Sequence, residues 1–125
     1  MNVVLWIVQG LLALMFFMAG AMKLSKPKQE LSEKLGDWID QYTGVSIKLI
    51  GFVEVLGAIG IILPMAIGVL PILTPLAAIG LAMTMVGAMQ IHYQRKEKSK
   101  TVTNLVLMLL ALFAAIGRLY IVPII

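Results

Sequence analysis

The chain has 125 residues, 61% of them hydrophobic and 13% charged, with a formal net charge of +4. A water-soluble domain of this size could not cover so much apolar surface, since roughly a quarter of a soluble domain's residues are charged. The basic residues flank apolar runs instead of forming a stripe, which argues against nucleic acid as a partner. With no cysteine and one histidine, disulfides, iron-sulfur clusters, bis-histidine haem and multi-histidine metal sites are excluded within one chain.

Four runs near the ~20 apolar residues needed to cross a bilayer predict membrane spans over about 3–22, 46–65, 71–92 and 102–123. The expected fold is all-α: one membrane domain over 1–125, built as a transmembrane four-helix bundle. The first span ends in Ala19-Gly20-Ala21, which resembles a signal-peptide cleavage site. No basic residue precedes it and the apolar run is long, so it is expected to be a retained helix.

Between the first and second spans, Leu31, Leu35, Trp38, Ile39 and Tyr42 recur at helical spacing among Lys, Glu and Asp. The pattern predicts an amphipathic helix over about 27–43, opened by Ser25 and Pro27 and closed by Gly44. Trp38 and Tyr42 would sit at headgroup level, and a lid over the bundle is the functional alternative. The second span carries Glu54, an ionisable group deep in an apolar run and therefore a functional-site candidate. Pro64, Gly68 and Pro71 then predict a tight hairpin into the third span, with three spans and a re-entrant hairpin as the other topology. The nine methionines are scattered among Leu and Ile, as packing residues rather than copper or haem ligands.

Nine of the ten basic residues lie in or beside the first and third connections; the exception is Arg118. The positive-inside rule then puts both charged loops in the cytoplasm and both termini outside. Arg95-Lys96-Glu97-Lys98 reads most simply as an anchor for anionic headgroups.

Each span also carries a stripe of small and polar residues at steps of three and four. These are Gln9, Ala13, Phe16, Gly20 and Lys23; Gly51, Glu54 and Ala58; Gly80, Thr84, Ala88 and His92; and Ala111, Ala114, Ala115 and Arg118. Small residues let membrane helices approach closely, so the stripes are expected to face one another and to point their polar groups inward. At ~1.5 Å rise per residue, Glu54 falls near mid-membrane, Lys23 and His92 near the basic loops, and Gln9 and Arg118 toward the termini. Glu54 and Arg118 are then too far apart for an easy direct pair, so Glu54 needs water, a hydroxyl such as Thr84, or a reaching Lys23. Glu54 is read either as a proton-exchanging group or as a hydrogen-bonding glue between helices. His92 is an interfacial residue or a proton relay, and Arg118 is a bundle cation with Gln9 as neighbour, or snorkels outward.

The runs Phe17-Met18-Ala19-Gly20-Ala21-Met22-Lys23-Leu24 and Ile50-Gly51-Phe52-Val53-Glu54-Val55-Leu56-Gly57, then Leu63-Pro64 and Gly87-Ala88 before His92, resemble the DoxX-like family of small four-helix membrane proteins. The resemblance implies that Lys23, Glu54, Pro64 and His92 occupy the family's characteristic positions. Founding members resemble a subunit of an archaeal thiosulfate:quinone oxidoreductase, bacterial members are linked with oxidative or quinone stress, and animal relatives include receptor-assembly chaperones. The first expectation is therefore a redox- or quinone-associated accessory subunit of a bacterial or archaeal cytoplasmic membrane. It would be an accessory more than a self-contained enzyme, with no covalently or metal-bound cofactor, a quinone as ligand, a redox subunit as partner, and a homodimeric state. An assembly factor or scaffold is the second expectation, and a small proton-coupled carrier using Glu54 is the third.

Overall fold

The computed structural model describes residues 1–36, 39–40 and 42–121. In chain order the elements are α1 (Asn2–Ser25), α2 (Lys28–Leu35), α3 (Gly44–Gly60), α4 (Leu63–Ile67), α5 (Leu73–Gln94) and α6 (Lys98–Ile116), followed by a π-helical turn, Gly117–Ile121. Among the described residues four helical segments are long and apolar enough to cross a membrane: Asn2–Ser25, Gly44–Ile67, Leu73–Gln94 and Lys98–Ile121. The protein is an integral membrane helical bundle. The expected end of the fourth span at Pro123 lies outside the described residues.

The helices pack as two close pairs, α1 with α3 and α5 with α6, while α3 and α5 touch more lightly. The second span reaches Ile67 and the third starts at Leu73, so only a short connection joins them. Pro64 sits buried in the second position of α4, and Gly68 at φ 72° ends that helix in a left-handed turn. Proline removes the N–H that would bond the carbonyl four residues back. That carbonyl, Gly60 O, accepts instead from Thr74 Oγ1 of α5 at 3.1 Å, so this oxygen keeps a partner within the bundle.

The amphipathic helix expected over 27–43 is shorter, Lys28–Leu35, because Gly36 adopts φ 116°, a conformation open to glycine alone. Trp38 lies outside the described residues. Gly44, expected to close that helix, is instead the first residue of α3, where Thr43 Oγ1 accepts the Ser46 N–H at 3.1 Å and caps the new helix. Leu31 and Ile39 are fully buried with Ile47, against Met22 and Tyr42, which ties this segment to the ends of α1 and α3.

The main core joins Val8, Leu12 and Phe16 of α1 to Ala58, Ala78, Leu81, Ala111 and Ala115. Its alanines sit where the stripes meet, so the backbones come close. Val3, Ile7, Leu14, Phe17, Phe52, Leu56 and Leu109 face outward, as a bilayer requires. Two helix backbones come into direct contact where Gly20 crosses Gly51. A Cβ built on Gly20 would lie 2.6 Å from Gly51 O, and one on Gly51 would lie 2.8 Å from Gly20 O.

Candidate functional site

That glycine crossing creates the central polar contact. Lys23 and Glu54 each follow their crossing glycine by three residues, and a helical side chain leans back toward its own N-terminus. The helices are antiparallel, so both side chains lean toward the crossing from opposite sides and meet there. Lys23 Nζ donates to Glu54 Oε1 at 2.6 Å, with both side chains buried. Glu54 is thus joined to the reaching Lys23, and not to Arg118 or the Thr84 hydroxyl. The Thr84 proton is already spent, since Oγ1 donates to Leu81 O at 2.6 Å.

The pair opens onto a cavity of about 390 Å³ between the two helix pairs. Phe16, Ala19 and Ile50 line one wall beside Lys23 and Glu54, and Met85, Ala88, Ile91 and Leu107 line the other. Thr84, His92, Asn104 and Tyr42 add polar atoms to this otherwise apolar space. His92 is buried and its Nδ1 lies 3.0 Å from Glu97 Oε1, at the start of α6. A carboxylate accepts, so this bond assigns the proton to Nδ1 and leaves Nε2 in its acceptor form when the ring is neutral.

Glu97 also accepts from Arg95 Nε at 3.0 Å and Lys100 Nζ at 3.1 Å. The bond from His92, followed by that from Lys100, holds the Glu97 carboxyl down at about 2. Lys48 Nζ closes the same end of the bundle by donating to Lys23 O, Leu24 O and Lys26 O at 3.0, 2.7 and 3.0 Å. These are the carbonyls that the end of α1 leaves without helical partners, and a cation there also suits the helix dipole.

Gln9 and Arg118 lie elsewhere. At the termini end of the bundle, Arg118 Nε donates to Gln9 Oε1 at 2.7 Å and Nη1 to Asn2 Oδ1 at 2.6 Å. The guanidinium also lies 5.2 Å from the Trp6 ring centre, within cation–π range. Gln9 Nε2 in turn donates to Ile61 O at 2.7 Å, just past the end of α3. The polar stripe is thus split between a clasp at one end, made by Gln9 and Arg118, and a cavity at the other, lined by Lys23, Glu54, Thr84 and His92.

The DoxX-like family model matches residues 7–114. The chain belongs to the DoxX-like family. No curated protein and no solved structure matches it. This DoxX-like protein adds Asn104 to the candidates named from the sequence: it lines the cavity from α6, and its Nδ2 is buried without a hydrogen-bond partner among the described residues. A signal was present: stepping back from Ala111 by four and then three residues reaches Leu107 and Asn104, on the stripe that carries Arg118. Asn2 lies likewise on the α1 stripe, seven residues before Gln9. Among the described residues no group of three or more His, Cys, Asp or Glu is arranged to hold a metal ion.

Proposed function

We propose that this DoxX-like protein is a quinone-associated accessory subunit of a membrane redox system, with the quinone headgroup held beside Lys23, Glu54 and His92. The observation that carries the proposal is the opening of a buried ion pair and a histidine into one apolar cavity of about 390 Å³. Sites for small molecules run from about 300 to 1,000 Å³ and combine apolar walls with a few convergent polar groups. A quinone ring, with carbonyl acceptors and an apolar tail, suits such a space. When bound, it supplies a carrier for two electrons and two protons.

The protein's own groups would bind the ring and handle its protons. Lys23 has three N–H donors, one of them used by Glu54, and the others can reach a ring carbonyl. Glu54 keeps the ammonium in place and can exchange a proton across a 2.6 Å bond. His92 connects the cavity to Glu97, outside the apolar span, and so provides a step between buried ligand and water. The electrons would come from, or pass to, a partner redox subunit. In this arrangement the basic loops face the cytoplasm of a bacterium or archaeon and both termini lie outside. A homodimer belongs to the same proposal, and the mass of the protein in mild detergent tests it.

Thermal unfolding in mild detergent, with and without a short-chain quinone, tests the ligand. At a free concentration one hundred times Kd, binding to the folded state adds about 2.7 kcal/mol, a shift of several degrees. An alcohol carrying the same tail without the ring should give none. A wild-type protein whose melting point ignores quinone refutes the proposal.

A scaffold or assembly role is the second reading, favoured by how much polar chemistry the bundle spends on itself: the clasp of Arg118, Gln9 and Asn2, and Thr74 on Gly60 O. On that view Lys23 and Glu54 only join α1 to α3. A Glu54→Gln variant that folds and keeps its function in cells, with no quinone response in the wild type, would establish it.

A further inference from the structure

One buried polar group in the cavity has no place in the bundle's own bonding. Gln9, Lys23, Thr74, Thr84 and Arg118 each donate within the protein. Among the described residues two buried side-chain nitrogens have no partner, Arg118 Nη2 and Asn104 Nδ2, and of these only Asn104 belongs to a residue that lines the cavity. An amide held in a low-dielectric site without a partner costs about 1–3 kcal/mol. A purely structural role gives nothing in return, whereas a bound acceptor would recover that free energy.

Asn104 stands on α6, whereas Lys23 and Glu54 come from α1 and α3. A ligand seated between the helix pairs therefore meets an ammonium donor from one pair and an amide donor from the other. The donors suit a planar ring bearing carbonyl oxygens, one directed to each wall. We infer that Asn104 is the positioning residue that fixes the ring of a carbonyl-bearing ligand in this cavity, by donating its amide N–H to the oxygen remote from Lys23. The inference rests on the cavity being a quinone site and adds the residue that sets the ligand's orientation.

The test compares the wild type with Asn104→Leu and Asn104→Gln, using thermal unfolding in detergent and a titration with a short-chain benzoquinone. Leucine keeps the branched shape, with somewhat larger methyl groups, and removes the donor, so quinone affinity should fall at least about tenfold, the worth of one buried hydrogen bond. The ligand-free protein should melt at the same temperature or higher, because an unsatisfied donor has gone. Glutamine keeps the amide and should retain most of the affinity.

Full quinone affinity in Asn104→Leu, with a normal wild-type response, overturns the role of Asn104 and leaves the quinone site standing. Ligand-free Asn104→Leu melting well below wild type also overturns it, since the amide would then be supporting the fold. If both variants fold but the wild type itself does not respond to quinone, the quinone site fails, and the inference with it.

Discussion

Replacing Gly20 by alanine probes the contact on which the site is built. The added Cβ would lie 2.6 Å from Gly51 O, 2.7 Å from Val55 Cγ2 and 2.9 Å from Val55 N. Two of these atoms are backbone and cannot rotate away. Ordinary contact begins at 3.4 Å, so α1 and α3 must separate by about 0.8 Å at the crossing. Forcing one extra carbon into a packed contact costs about 1–3 kcal/mol. Alanine also gains up to about 1 kcal/mol of helix propensity over glycine, which would mask part of that cost. Gly10→Ala is the control, since a Cβ there meets nothing within 4 Å. Both variants gain the same propensity, so the difference between them should equal the overpacking cost, about 1–3 kcal/mol. Equilibrium unfolding in mixed detergent, followed by tryptophan fluorescence, measures it. Gly20→Ala unfolding at or beyond the midpoint of Gly10→Ala would refute the close crossing.

Three other perturbations have defined outcomes. Lys23→Met or Glu54→Leu alone strands one member of a buried pair and should cost about 3–5 kcal/mol, with much of it recovered in the Lys23→Met/Glu54→Leu double variant; a mutant cycle showing no coupling would contradict the 2.6 Å contact. Arg118→Lys cannot serve Gln9 and Asn2 with the same fork geometry, so it should lose about 1–2 kcal/mol, and an unchanged melt would show the clasp to be idle. Glu97, held at about 2 against an ordinary 4.5, contributes stability that is present above the ordinary value and is lost as pH falls through the folded one. The melting advantage of wild type over Glu97→Gln should therefore shrink between about pH 4.5 and 2; an advantage that stays constant over that window would argue against the His92 and Lys100 bonds.

Much of the architecture was legible in the chain, because crossing a bilayer demands a length and an apolarity that local sequence alone expresses. Four spans, a polar segment after the first and a stripe of small residues on each could be read from spacing. The interruption of the second span was signalled by Pro64 and Gly68. Periodicity could also put Gln9 and Arg118 at similar depth, because rise per residue is a local property. The end of the amphipathic helix at Gly36 was misjudged, since the sequence pattern continued while the backbone of one glycine did not.

Tertiary structure decided which stripes touch and what each polar group does there. Depth along the membrane normal is set by position in a helix, but partnership depends on which helices pair and on which way side chains lean at their crossing. Gly20 and Gly51 bring α1 against α3, and that contact converts two charges on opposite sides of the crossing into a single ion pair. The space left between that helix pair and the α5/α6 pair is the cavity. Asn104 acquires its meaning only from that space, because a donor without a partner is defined by everything that surrounds it.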